Sequence, residues 1–110
     1  MSSSKPHWVN LEEEIKTIIG FNAKRTKGSG NKKGDLDVKC TYQGTPILFE
    51  AKSEEIPNGN VIVKHTEFTK MLEQAAVFFG IGIYVRKDKN GIPIACMQLT
   101  DLKRLMDLGT

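Results

Sequence analysis

The run TPILFEAK, residues 45–52, is the stretch that most constrains how this chain can fold. Its middle is apolar enough for a strand in the centre of a sheet, yet it ends on Glu50 and Lys52. The preceding run DLDVKCTY is also strand-like, and Gln43-Gly44 between them makes the pair a hairpin. Side chains alternate faces along a strand. Asp35 and Asp37 therefore share one face of the first strand, and Glu50 and Lys52 share one face of the second. Leu36, Val38, Leu48, Phe49 and Ala51 are left to supply core contacts. Across the hairpin the acidic faces can converge. Carboxylates held a few ångströms apart repel and raise one another's pKa. A chain of 110 residues has only a modest core in which to compensate them. Such a cluster calls for a cation. Lys52 is one, and a hard divalent ion such as Mg²⁺ is the other, because it is held by a few carboxylates together with waters and phosphates. The alternative is a set of surface carboxylates salt-bridged by Lys52. An acid-x-Lys at the end of a buried strand argues against it.

The rest of the chain supplies elements to cover such a sheet. WVNLEEEIKTIIGF sets Trp8, Leu11, Ile15, Ile18 and Ile19 on one helical stripe. Asn10 is the expected N-cap, Glu12, Glu13 and Glu14 suit the positive end of the helix dipole, and Gly20 is the expected stop. NAKRTKGSGNKKG reads as loop. SEEIPNGN is a second loop, followed by a short strand over Val61–Lys64. TEFTKMLEQAAVFFG predicts a helix with Phe68, Met71, Leu72, Ala75 and Phe79 buried, Thr66 as cap and Gly80 as end. IGIYVRK and IPIACMQL are strands joined by DKNG, whose Asn90-Gly91 predicts a type I′ turn. TDLKRLMDLG is a final helix capped by Thr100. The order α, β, β, (β), α, β, β, α predicts an α/β fold: one domain over residues 1–110, a single mixed sheet flanked by helices, with the first seven residues frayed.

Net charge is only +3, but its distribution is uneven. Lys24, Arg25, Lys27, Lys32, Lys33 and Lys39 lie close together, separated largely by Gly, Ser and Asn, and form a candidate phosphate-binding surface. Cys40 and Cys96 belong to no C-x-x-C pair and are expected to be reduced thiols, which points to an intracellular setting. No apolar run approaches the ~18 residues of a membrane span, and MSSSKPHW lacks a signal-peptide core. His7 and His65 are expected at the surface.

Asp37, Glu50 13 residues later, then Ala51 and Lys52 form a D…E-x-K pattern. With the lead-in Gly34-Asp35, it resembles the core of the PD-(D/E)xK nuclease superfamily. The helix LEEEIKTIIGF followed by RTKGSG, and the later EFTKMLEQAAVFFGIGIYVRK, resemble the archaeal and phage-type Holliday junction resolvases within that superfamily, in the same order and over nearly the whole chain. The resemblance implies a restriction-endonuclease-like fold. It implies Mg²⁺ held by Asp37, Glu50, the Ala51 carbonyl and a helix glutamate, with Mn²⁺ able to substitute. Glu12 matches the helix position best, with Glu14 the alternative. Asp35 is either a further ligand or a polar strand start. Lys52 would orient or activate the attacking water or stabilise the developing charge. Ser29 would lie near the scissile phosphate, and Arg25, Lys27, Lys32 and Lys33 would contact phosphates. The substrate implied is branched DNA, specifically a four-way junction, cut by a homodimer whose apolar surface could come from AAVFFGIGIY. The other readings are a restriction- or repair-type nuclease or nickase on the same core, and a non-catalytic nucleic-acid-binding module. A chain this short leaves little room for a sequence-reading domain, which favours recognition of DNA shape.

Overall fold

The computed structural model describes residues 7–26, 36–53 and 59–110. Among the described residues three helices and five strands follow in the order α1 (His7–Ile19), β1 (Lys24–Arg25), β2 (Val38–Tyr42), β3 (Thr45–Lys52), α2 (His65–Val77), β4 (Ile81–Lys87), β5 (Pro93–Cys96) and α3 (Leu99–Leu108). The strands form one mixed sheet in the order β1-β2-β3-β4-β5. Only β3 and β4 run parallel, joined by the crossover that contains α2. The other neighbours are antiparallel. The apolar run of β3 occupies the middle of the sheet, as its composition requires.

Alternation along the central strands sorts the core into two layers. Ile47, Phe49 and Ala51 of β3 and Ile81, Ile83 and Val85 of β4 pack with Leu11 and Ile15 of α1. Leu48 and Tyr84 face the other way, onto Met71 and Ala75 of α2. Gly82 shares that second face, where a Cβ would come 3.2 Å from both the Ala75 Cβ and the Met71 Cε. Its missing side chain lets α2 lie close against the sheet. Arg104 of α3 donates to the Phe79 carbonyl at 3.2 Å, so this helix sits against the start of β4.

Several local expectations are revised. α1 starts at His7 rather than after Asn10, so Asn10 lies inside the helix and Glu12–Glu14 lie beyond its first turn. Those acids are held by cations instead of by the helix dipole: Glu13 by Lys16 and Arg25, and Glu14 by Lys87. Of the seven residues expected to fray, His7 is helical and 1–6 lie outside the described residues. Part of the expected loop, Lys24–Arg25, pairs as an edge strand with Lys39 and Val38 of β2. Two residues carry no period, so only tertiary hydrogen bonding reveals such a strand. Val61–Lys64 is not a strand; Val63 packs beneath α2. α2 and α3 are preceded by Lys64 and Gln98 with no side-chain cap, so neither Thr66 nor Thr100 caps them. Phe79 is 84% exposed, because the helix ends at Val77 and Phe79 turns left-handed at φ 57°. The type I′ geometry lies at Gln43-Gly44, φ 50° and 80°, where both central residues are left-handed. At Asp88–Ile92 only Gly91 is left-handed, and Asp88 Oδ1 accepts from the Asn90 and Ile92 N–H groups.

Candidate active site

The register of β2, β3 and β4 carries the charged residues to one end of the sheet. Asp37 precedes β2, and its N–H donates to the Phe49 carbonyl at 2.9 Å. Its carboxylate then crosses to β3, where Oδ2 accepts from the Ala51 N–H at 2.8 Å. This charge-assisted bond fixes the Asp37 carboxylate beside the Glu50–Lys52 end of the strand. Glu50 lies opposite Tyr84, and Lys52 opposite Arg86, in the parallel ladder. All four have the parity of the α2 face, so α2 forms the facing wall. Asp37, Glu50, Lys52, Glu67, Lys70 and Gln74 line a cleft of about 320 Å³. A larger groove of about 520 Å³ is bounded by residues such as Ile19, Phe21, Tyr42 and Leu105, and its lining holds no carboxylate or cation.

Charges in the cleft are strongly coupled. Burial and the neighbouring Asp37 charge push the Glu50 carboxyl above its ordinary range, with Lys52 partly opposing. Lys52 Nζ lies 3.2 Å from Glu50 Oε2 and 3.7 Å from Glu67 Oε2. Burial lowers the Lys52 pKa, but these two carboxylates outweigh it and the net shift is upward, so Lys52 is an ammonium at neutral pH. Glu67 Oε1 accepts from the hydroxyl of the buried Tyr84 at 2.7 Å.

Glu12, on α1, is 4% exposed. Burial raises its pKa, a hydrogen bond from Arg25 opposes, and Asp37 adds to the rise. Arg25 Nε donates to Glu12 Oε1 at 2.8 Å, and Arg25 Nη1 to Glu13 Oε2 at 3.1 Å. In this conformation the guanidinium expected to contact phosphates is engaged by two acids. Glu14 pairs instead with Lys87 at 2.8 Å. The Asp37 charge acts on Glu12.

Asp37, Glu50 and Lys52 are thus brought together, with Ala51 tied to Asp37 through its N–H. Among the described residues, no three His, Cys, Asp or Glu side chains form a group that could hold a metal ion. Lys27, Ser29, Lys32, Lys33 and Asp35 lie outside the described residues. Cys40 is buried, Cys96 is half-buried and both are free thiols; burial pushes the Cys40 thiol up. Among the described residues no helix is long and apolar enough to cross a membrane.

Sequence reading missed Glu67, Tyr84, Arg86, Lys70 and Gln74. Glu67, Lys70 and Gln74 recur at helical spacing beside the buried Met71, a faint signal that they border the same surface. Tyr84 and Arg86 fall in the strand IGIYVRK, which carries no acid to mark it as part of a site. No protein-family model and no curated protein matches the chain.

Proposed function

We propose that this protein is a Mg²⁺-dependent, structure-selective DNA endonuclease built on a PD-(D/E)xK core, and that it resolves four-way junctions by paired phosphodiester hydrolysis. The observation that carries the reading is the gathering of Asp37, Glu50 and Lys52 in one cleft at the end of the central strand. Burial first and the Asp37 charge second raise the Glu50 pKa, and a cation between the two carboxylates would relieve their repulsion.

Two carboxylates and a nearby carbonyl suit Mg²⁺, which takes one or two carboxylates and leaves its other positions to water and phosphate. Asp37, Glu50 and the Ala51 carbonyl would hold the ion, and Glu12 would join them only by leaving Arg25. When bound, Mg²⁺ supplies charge neutralisation at the phosphate and a water of lowered pKa. Lys52 contributes a fixed positive charge where negative charge develops on the phosphoryl group. Its upward-shifted pKa suits that electrostatic role better than the role of proton acceptor. Asp37, held by the Ala51 N–H, needs no rearrangement to keep its carboxylate in the cleft. Lys27, Lys32 and Lys33, with Arg25 once released from Glu12, would bind DNA phosphates, and Ser29 would approach the scissile one.

A junction has two equivalent strands to cut, and each chain carries one Asp37–Glu50–Lys52 site. A two-fold homodimer matches that symmetry. Val77 and Phe79, 64% and 84% exposed, are apolar groups in the segment expected to form the dimer surface, whereas Ala75 and Ile81–Tyr84 belong to the core. An intracellular setting fits a DNA substrate and the two free thiols.

The test is incubation with Mg²⁺ and either a labelled four-way junction or a linear duplex of the same sequence. The expected result is symmetric paired nicks in the junction, with the duplex largely uncut. Equal cutting of both by a protein that light scattering shows to be monomeric would favour a general or repair-type nuclease on the same core. Binding with no cutting in Mg²⁺ or Mn²⁺ would favour a non-catalytic module.

A further inference from the structure

We propose that Glu67, held by Tyr84, is a positioning residue that keeps Lys52 aimed into the cleft when a divalent cation engages Glu50. The inference rests on the nuclease reading and adds to it a residue that the D…E-x-K pattern does not contain.

Among the described residues, Lys52 pairs with two carboxylates of different character. Glu50 Oε2 is 3.2 Å from Nζ and belongs to the same strand, two residues away. In the nuclease reading Glu50 is also a metal ligand. A carboxylate that neutralises a dication attracts a neighbouring ammonium less, and the dication itself repels that ammonium. If Glu50 were its one anchor, Lys52 would loosen at the moment the site became competent. A lysine on a flexible four-carbon stem has several rotamers to occupy once released.

Glu67 supplies an anchor that metal binding does not weaken in this way. It projects from the first turn of α2, where the helix N-terminus favours negative charge. Its two oxygens have separate partners: Oε1 accepts from Tyr84 at 2.7 Å, and Oε2 faces Lys52 Nζ at 3.7 Å. The Tyr84 ring is fully buried, and the Phe68 ring packs edge-on against it at 6.2 Å. A phenol fixed in this way has little freedom, so its hydroxyl sets the orientation of the Glu67 carboxylate. That orientation turns the second oxygen toward Lys52. Tyr84 also pairs with Glu50 in the β3–β4 ladder, which ties the anchor to the strand bearing the lysine. The chain of contacts runs from buried ring to carboxylate to ammonium, across the two walls of the cleft.

The test compares Glu67→Gln and Tyr84→Phe, each alone and combined with Lys52→Ala. It uses single-turnover cleavage of a four-way junction, Mn²⁺ affinity by calorimetry, and the NMR signal of the Lys52 side chain in Mg²⁺. Glu67→Gln should lower the cleavage rate about tenfold, as expected when one charged contact stops supporting the transition state. Junction affinity and Mn²⁺ affinity should be unchanged. Tyr84→Phe, which keeps the ring and its packing, should show a smaller loss of the same kind. Neither substitution should lower the rate further in the Lys52→Ala background. The Lys52 signal should broaden or move in both variants.

A loss that persists undiminished in the Lys52→Ala background would overturn the proposal, because Glu67 would then act on its own. Weaker Mn²⁺ binding by Glu67→Gln would also overturn it and make Glu67 a metal ligand. A Lys52 signal indifferent to both substitutions would remove the positioning role whatever the activity. Failure of the unsubstituted protein to cut any DNA would overturn the nuclease reading instead. The NMR comparison would still report separately whether Glu67 holds Lys52.

Discussion

Replacing Lys52 with alanine separates a catalytic lysine from a structural one by magnitude alone. The substitution deletes the cation between Glu50 and Glu67, which lie 3.2 and 3.7 Å from Nζ. The side chains of Lys52, Glu50 and Glu67 are 24%, 22% and 26% exposed, so solvent screens the pairs only in part. Fully exposed pairs contribute about 0.2–1 kcal/mol, and breaking a fully buried one costs about 3–5 kcal/mol. An intermediate loss of about 2 kcal/mol is expected here. From a total stability of about 5 kcal/mol or more, about 3 kcal/mol remains, and under about 1% of molecules are unfolded. Unfolding therefore lowers the measured rate by about 1%. Loss of a transition-state charge contact should lower it by about 10²-fold or more. The assay pairs urea denaturation with single-turnover cleavage of a four-way junction, expressed per folded molecule. A 2 kcal/mol loss of stability with an unchanged rate per folded molecule would refute the catalytic assignment.

Three further outcomes follow from the same charges. Arg25→Ala removes the cation facing Glu12, whose side chain is 5% exposed; urea denaturation should show a loss of about 2 kcal/mol, discounted because Arg25 is itself partly solvated. The double variant with Glu12→Gln should recover most of that loss, and an equal loss in both would detach Glu12 from Arg25. Glu12 and Glu50 both have raised folded-state pKa values, so between the ordinary carboxylate range and those raised values the native state holds more protons than the unfolded chain. The contribution of these two groups to stability should therefore fall as pH rises through that window, and Glu50→Gln should flatten the slope of urea midpoint against pH; an unchanged slope would deny the raised Glu50 pKa. Replacing Lys32 and Lys33 with alanine should reduce the salt dependence of junction binding by about one slope unit per lost phosphate contact, and an unchanged slope would place the DNA elsewhere.

The two central strands could be read from sequence to their last residue, Thr45–Lys52 and Ile81–Lys87, because apolar runs bounded by turn residues leave little choice of register. The convergence of Asp37 on Glu50 was legible for the same reason: a hairpin between them aligns their faces by period alone. The start of α1 was not, since His7–Asn10 carries no break that marks Asn10 as a boundary. Phe79 was misplaced by following the period of α2 past its end, where a left-handed turn cancels the period. Glu67 and Tyr84 were missed for a different reason. Glu67 reads as an ordinary acid in a helix's first turn, and Tyr84 as one more core aromatic. Their meeting depends on the parallel β3–β4 pairing and on how closely α2 approaches at Gly82. The Glu12–Arg25 pair likewise depends on an edge strand of two residues, β1, which no periodicity announces.

The central claim is that Asp37 and Glu50 serve a divalent cation in phosphodiester cleavage, and one measurement bears on it most directly. A labelled four-way junction is incubated with the protein in Mg²⁺, in Ca²⁺ and in excess EDTA, with Asp37→Asn run alongside. Asparagine can still accept the Ala51 N–H, so the fold should survive the substitution. The account predicts cleavage in Mg²⁺, binding with little cutting in Ca²⁺, no cutting in EDTA and none by Asp37→Asn. Cleavage undiminished in EDTA, or by Asp37→Asn, would contradict it.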